Sequence, residues 1–466
     1  MKDIYVIDVI EKCGGRLVCG DNNAICDNFK IDTREIKEND TFVGIKGENF
    51  DGNAMYEKAF ENGASTCILQ GIEIDDNCIE KYKNKNIIIV KDTIKALGLL
   101  AKYKREMFNI PVVGVTGSVG KTSTKDIIAS VISKKYNTLK TEGNFNSDIG
   151  LPLTILRLKE EHEAAVIEMG MNHKGEIDYL SNIAEPTVSV ITNVGTSHIG
   201  NLGSRENILK AKLEILNGMK ENGVLVYNND NDMLNNNKVL FKKCKSIGFG
   251  IDNHSDVMAL NINIGTNRSS FDVSFNNNKY NINVPVSGKH FVYNALCAIC
   301  VGREVGIDIN DIIIGINEFS LTKNRMEVDN FKDNITIIND TYNASYDSMK
   351  AALEFLGSFK DKYKIAVLGD MLELGEFSNE LHLKVGKSVY ENNIDLLVTV
   401  GDYSKKIAEG ARILGMTEEN VKSVDNNSDA IKFLEKVIIG DSAILLKASN
   451  SMKFSEIYNE ISKKLK

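Results

Sequence analysis

The sequence predicts an α/β protein built from three units, and three observations carry that reading. The chain has 466 residues, well past the size at which a single core divides. From Pro111 onward, β-branched apolar runs of strand length alternate with amphipathic helical stretches, the pattern of a mostly parallel sheet covered by helices. A second block of the same kind begins near residue 324, and a turn-rich stretch of different character precedes the first.

Residues 1–107 form the first unit, a mixture of short strands and helices. It includes the turn-rich segment IDTREIKENDTFVGIKGENFDGNAMYEKAFENGA, which runs into a helix. The second unit spans 108–323. Its strand PVVGVT leads through a glycine turn into the helix TSTKDIIASVISKKY. The strands AAVIEMG, VSVITNV and GVLVYNN follow, with the helix SRENILKAKLEILNGM before the last of them. At SSFDVSFNNNKYNINVPV the pattern becomes strand–turn–strand, a hairpin. The third unit, 324–466, repeats the α/β alternation, with ITIIND, YKIAVLGDM, LLVTVG and SAILLKAS as strands. The tetrapeptide NNNK occurs twice and reads as surface turns.

Composition narrows the function. Net charge is −8, which argues against nucleic acid as a partner, because such proteins carry a basic stripe. Anionic small molecules remain compatible, since basic pockets can sit in an acidic chain. No apolar run reaches the ~18 residues of a membrane span, and MKDIYVIDVIEKCGG lacks the pattern of a secretion signal. A cytoplasmic protein without membrane insertion, and a monomer, is the expectation. Of eight cysteines only Cys297 and Cys300 form a CxxC. They lie in the helical run YNALCAICVGREVGI, on one face, where buried thiols are common.

The clearest chemical signal is GVTGSVGKTSTKD, residues 114–126. A strand ends at Thr116, and Gly117, Ser118, Val119 and Gly120 form a turn ahead of a helix starting near Thr122. Glycines let backbone N–H groups turn inward around phosphate oxygens, and the helix N-terminus adds positive potential. Lys121 reaches terminal phosphates and the Thr122 hydroxyl suits Mg²⁺, with Ser123 beside it. The longer GxxxxGK[ST] form would need glycine where Val115 stands, so the motif is the shorter GxxGKT. Glu168 and His198 follow the next two strands, at the carboxyl ends where α/β sheets gather ligands. By position alone, each is more often a solvated or packed residue than a ligand.

Along nearly its whole length the chain resembles the Mur ligase family. The landmarks are DTR at 32–34, TGSVGKTST, TEGNFNSDIGLPLTIL, EMGMNHKGEI, ITNVGTSHIGNLGSRENILKAK, GKHFVYNAL, NRMEV, INDTYNASYDSMKAAL, LGDMLELG and KASNSMK. The phosphate loop is shared with folylpolyglutamate synthases. NVGTSHIGNLGSRENI, DTYNASYDSM and LGDMLELG are more specific, and the DNPR-type and DYAHTP motifs of the diaminopimelate- or lysine-adding sibling are missing. The resemblance implies an ATP- and Mg²⁺-dependent ligase that joins D-alanyl-D-alanine to UDP-N-acetylmuramoyl-tripeptide through an acyl phosphate. It implies a small UDP-substrate domain, a central P-loop ATPase domain, and a Rossmann-like domain that closes over ATP.

Residue by residue, the resemblance assigns Thr116 to Ser123 to nucleotide phosphates and Thr122, Glu168 and His198 to metal. Asn294, Arg325 and Asp340 are implied nucleotide contacts. Thr33, Arg34 and Asp51 are implied for the UDP-sugar, Asn144, Asn146, Tyr342 and Asn343 for substrate. Lys121 and His198 carry implied catalytic roles, and Lys212 falls where the family has a carbamylated lysine; its amphipathic setting alone reads as a solvated helix face. Departures from the family pattern stand at Asn53, Ser147, Ser345, Tyr346 and Asn450, where drift on loop surfaces is an equal explanation. A folylpolyglutamate synthase and a non-catalytic nucleotide-binding scaffold are the rival readings. Neither the third residue of the tripeptide nor the general base is readable.

Overall fold

A computed structural model describes residues 2–275 and 278–466. Its strands gather into three large sheets and one small one. The first contains β1 (Ile4–Tyr5), β2 (Arg16–Cys19), β3 (Ile25–Lys30), β4 (Asp40–Val43), β5 (Thr66–Leu69) and β6 (Asn86–Ile89), in the order β1-β3-β4-β5-β6-β2. Its four central strands run parallel and its two edge strands antiparallel. The buried β4 lies inside the segment that reads as turn-rich, because DTFV is short and flanked by Asn, Lys and Gly.

The second sheet is parallel throughout. It holds β7 (Val112–Thr116), β8 (Thr138–Lys140), β9 (Ala164–Glu168), β10 (Val188–Ile191), β11 (Val224–Asn228), β12 (Lys245–Gly250) and β13 (Val257–Met258). The order is β13-β12-β11-β10-β7-β9-β8. Strands β7, β9, β10 and β11 are buried at every position, as expected of parallel strands covered on both faces. The chain leaves β7 toward β8 and β9 on one side, then crosses to β10 on the other. That reversal opens a crevice beyond the carboxyl end of β7.

Strands β14 (Leu260–Ile264), β15 (Ser269–Phe275) and β16 (Asn278–Val284) form a small antiparallel sheet. The hairpin expected at 269–286 is β15–β16. The turn assigned to its NNNK falls on Asn276 and Asn277, outside the described residues. The other NNNK, at 235–238, differs from expectation: Asn235 and Asn236 close the short helix Asp232–Asn236, capped by the Asn231 side chain.

The last sheet orders β17 (Glu327–Asn330), β18 (Thr336–Asn339), β19 (Tyr363–Gly369), β20 (Leu396–Val400), β21 (Val421–Val424) and β22 (Ser442–Lys447) as β17-β18-β22-β19-β20-β21. Only β17 is antiparallel to its neighbour. A continuous apolar core runs from the first sheet through the second to one face of the last, and two further clusters fill the outer faces. Buried Arg105 joins the first two regions: Nε donates to Ala184 O at 2.8 Å and Nη1 to Phe108 O at 2.6 Å.

Candidate active site

The crevice beyond β7 is occupied by the glycine loop. Thr116 ends the strand, and the helix Lys121–Ile132 begins directly after Gly120, which sits at φ 79°. A β-carbon on Gly117 would come within 1.8 Å of Thr192 Oγ1, so only glycine lets the loop lie against the segment leaving β10. That segment holds the loop closely. Ser118 N donates to Asn193 O at 3.1 Å and Val119 N to Asn193 Oδ1 at 3.0 Å. Thr192 Oγ1 and Asn193 Nδ2 both donate to Val119 O, at 2.7 and 3.0 Å. Gly195 N donates to Ser118 Oγ at 2.9 Å.

Lys121 folds back on the loop, its Nζ donating to Gly117 O at 2.9 Å. Burial lowers its pKa, with Glu168 opposing and Arg325 adding to that shift. Thr122 is buried. Glu168 ends β9, opposite Val115 in the register. Its Oε1 accepts from Asn146 Nδ2 at 2.8 Å, while the buried Oε2 has no hydrogen-bond partner.

Around these residues lies a cavity of about 1280 Å³. It brings together the expected Ser118 to Ser123, Asn146, Glu168, His198, Asn294, Arg325, Asp340, Tyr342 and Asn343. Asn144 lines an adjoining cavity of about 400 Å³ with Thr122, Arg325, Tyr342, Asn343 and Asn450. Asn294 Oδ1 accepts from Thr124 Oγ1 at 3.0 Å, leaving its buried Nδ2 unpaired. The Arg325 guanidinium lies 3.8 Å from the centroid of the Tyr342 ring, with Nε buried and unpaired. Buried polar atoms rarely lack partners. Here one acceptor and two donors without partners belong to residues that line the same cavity, a set whose chemistry suits a cation and an anionic nucleotide.

Among the described residues no three His, Cys, Asp or Glu side chains converge as a metal cluster. Mg²⁺ needs none, because it commonly binds through one or two carboxylates together with substrate phosphates and water. The unpaired Glu168 Oε2 and the Thr122 hydroxyl fit that mode. His198 takes a left-handed backbone at φ 63°. Its Nδ1 lies 2.7 Å from Glu373 Oε2, a residue of LGDMLELG, and the His198 contact lowers the Glu373 pKa.

Lys212 corrects the reading from amphipathicity. It lies on the helix Arg205–Leu213 and is 1% exposed, one of the largest fully buried side chains among the described residues. Burial, with Lys121 adding to it, pushes its pKa well down. Asp340 accepts from Met326 N at 3.2 Å and from the buried Lys447, whose Nζ also donates to Asn343 O at 2.9 Å.

The cavity does not include Thr33, Arg34 or Asp51. Arg34 forms an exposed ion pair with Asp32, whose pKa it lowers to about 2. Asp51 Oδ1 accepts from Asn53 N and Nδ2 at 2.9 and 2.7 Å. Surface drift fails as an account of Asn53, which is 2% exposed and also accepts from Gln70 N at 2.9 Å. It fails for Ser345 too, a buried residue whose hydroxyl caps the helix Tyr346–Gly357. Ser147 and Asn450 are exposed and Tyr346 half-buried; Asn450 Nδ2 donates to Tyr342 O at 3.0 Å. Sequence reasoning missed Thr192, Asn193, Asp347, Glu373, Lys447 and His290. The last two lie inside GKHFVYNAL and KASNSMK and line the cavity. Burial pushes His290 down to about 4.

Residues 115–302 match the Mur ligase middle domain, 324–450 the Mur ligase glutamate ligase domain, and 27–105 the Mur ligase family catalytic domain. The UDP-N-acetylmuramoyl-tripeptide–D-alanyl-D-alanine ligase of Bacillus subtilis is 39% identical, over 92% of each chain. A crystal structure of MurF from Acinetobacter baumannii superimposes with a TM-score of 0.88 at 29% identity, covering 99% of each chain. MurF ligase from Thermotoga maritima in complex with ADP gives 0.82 at 28%, covering 94% of this chain and 98% of that one.

Proposed function

The chain belongs to the Mur ligase family, and from that premise we propose that it joins D-alanyl-D-alanine to UDP-N-acetylmuramoyl-tripeptide. ATP drives the reaction, and the products are the UDP-muramoyl-pentapeptide precursor of peptidoglycan, ADP and phosphate. The observation that carries this reading is the convergence on one cavity of the glycine loop, the unpaired Glu168 Oε2, and the unpaired donors of Asn294 and Arg325. The division into units 1–107, 108–323 and 324–466 follows the same reading. No helix among the described residues is long and apolar enough to cross a membrane, and a cytoplasmic enzyme is the setting we infer.

The chemistry follows from the reacting groups. A carboxylate is a poor acyl donor because an attacking amine would have to expel oxide. Transfer of the γ-phosphoryl group forms an O–P bond to the tripeptide carboxylate and breaks the bond to ADP. The amine of the dipeptide then attacks the acyl carbon, a C–N bond forms, and phosphate leaves with the C–O electron pair. The attacking nitrogen loses its proton as the amide forms. Positioning and charge neutralisation supply most catalysis of this kind. Lys121 exchanges Gly117 O for the γ-phosphate, and the N–H groups at the start of the helix Lys121–Ile132 hold the phosphate chain, since those of Ser118 and Val119 are bonded to Asn193. Arg325, stacked on Tyr342, and Asn294 orient the nucleotide. Thr122 and Glu168, together with His198, would hold Mg²⁺, which when bound would supply charge neutralisation at the phosphates.

Lys212 is proposed to carry a carbamate. Burial favours the neutral amine, the form that adds to CO₂, and the modification converts the side chain into an oxygen donor of the kind Mg²⁺ prefers. Its 1% exposure and lowered pKa support this.

The test is trapping. Tripeptide substrate and ATP without dipeptide, reduced with borohydride, give the alcohol of the tripeptide's terminal residue. Formation of AMP in place of ADP overturns the acyl-phosphate route. A folate substrate accepted in place of the UDP-tripeptide would favour the folylpolyglutamate reading; the 39% identity over 92% of the chain supports the UDP-tripeptide reading.

A further inference from the structure

The contacts between the loop after β10 and the C-terminal unit are concentrated at two carboxylates. Asp347, in the first turn of the helix Tyr346–Gly357, accepts two hydrogen bonds on one oxygen: from Thr196 N at 2.7 Å and from Thr196 Oγ1 at 2.9 Å. Glu373, at φ 62°, accepts from Gly200 N on its backbone carbonyl at 3.2 Å and holds His198 with its side chain. Both grip the stretch 196–200. The adjoining stretch 192–195 grips the glycine loop.

The junction falls between two consecutive amides. Gly195 N donates to Ser118 Oγ in the phosphate loop, and Thr196 N donates to Asp347 in the other unit. A single peptide step therefore ties the loop's position to the docked position of the C-terminal unit. Space enforces the arrangement: a β-carbon on Gly195 would lie 2.2 Å from Asp347 Oδ2. Asp340, Lys447, Tyr342 and Asn343 line the cavity only when that unit is docked, because they belong to it.

We propose that Asp347 is a positioning residue for the domain closure that the family resemblance implies: through Thr196 and Gly195 it latches the C-terminal unit to the phosphate loop. The inference rests on the nucleotide reading of the loop. A nucleotide that orders Ser118 also fixes the Gly195–Thr196 step that Asp347 grips, and coupling of this kind is reciprocal.

The test uses the full-length chain and Asp347→Ala, Asp347→Asn and Thr196→Val. Calorimetric titration with adenylyl-imidodiphosphate and Mg²⁺ measures binding, small-angle X-ray scattering reads compaction, and steady-state kinetics separates kcat from KM. Charge-assisted hydrogen bonds are about twice as strong as neutral ones, so Asp347→Ala shifts the docked population by roughly tenfold or more. Nucleotide affinity and kcat fall together, and the nucleotide-bound radius of gyration rises. Asp347→Asn and Thr196→Val, each retaining part of the contact, fall between Asp347→Ala and wild type. A folded Asp347→Ala with wild-type compaction, affinity and kcat overturns the latch. Wild-type protein that fails to bind the nucleotide overturns the nucleotide reading itself, and the latch with it.

Discussion

The phosphate loop and the Asp32–Asp51 stretch are both polar, glycine-containing segments that bend sharply, yet the molecule treats them in opposite ways. Loop residues 116–118 are buried, and the loop is bonded to residues more than seventy positions away. Arg34 in the N-terminal stretch bonds only to Asp32 and lies open to solvent. The loop is held by distant parts of the chain, whereas Arg34 is held at the surface by its near neighbour Asp32. Chemistry on a γ-phosphate needs charge placed in advance; recognition of a large soluble substrate does not.

Substitutions in the two places should therefore fail differently. Lys121→Ala should cut kcat by ~10²–10³, the usual cost of one electrostatic contact in a preorganised site, with UDP-substrate affinity retained; steady-state phosphate release measures it. Near-normal turnover would show that the loop is not the catalytic half of the comparison. Lys212→Ala and Lys212→Arg should each lose roughly 10–100-fold, the range for groups that support a metal site. Formate should restore part of the activity to the alanine variant alone. Wild-type turnover of Lys212→Arg in bicarbonate-free buffer would remove the carbamate. On the exposed side, Arg34→Ala should raise KM for the UDP-tripeptide by about tenfold with kcat unchanged, the signature of uniform binding.

Two stability measurements sharpen the contrast. Asn53→Ala strips partners from Asp51 and Gln70 N and should cost about 1–3 kcal/mol in urea unfolding, although Asn53 lies beside Asp51 in the stretch proposed to recognise the UDP-sugar. The smallest effect concerns His290. Its folded pKa near 4 lies below an unfolded value of about 6.5, so the unfolded chain binds the extra proton between those limits. Stability is fully present above pH ~6.5 and declines as pH falls toward 4. His290→Gln should flatten that slope in urea titrations at several pH values.

Legibility followed the same division. The strands β7, β9, β10 and β11 read directly, because burial on both faces demands unbroken apolar runs. The glycine loop read for a similar reason, since each of its residues is tied to one physical requirement. β4 was hidden by its short length among turn formers. Asp347 and Glu373 were unreadable: an acid in a first helical turn or two residues before a glycine is common, and only the tertiary approach of residues 151 and 175 positions away gives these two a role. Lys212 misled for the opposite reason. Lysine in an amphipathic run is usually solvated, and its burial is set by neighbours that the local pattern does not reveal.

The two cysteines at the centre of the helix Lys289–Glu304 carry a practical consequence. Cys297 and Cys300 are fully enclosed, and burial raises both thiols above their ordinary pKa. Alkylation needs an accessible thiolate, so each reacts only while its helix is detached. That helix packs on Lys121–Ile132, the helix behind the phosphate loop. Cys26 on β3 and Cys67 on β5 are enclosed in the same way within the first sheet. Pulse labelling followed by peptide mass spectrometry thus provides two internal clocks without a single mutation. One times the opening of the nucleotide pocket's support and the other the opening of the N-terminal unit, and added ADP should slow the first more than the second.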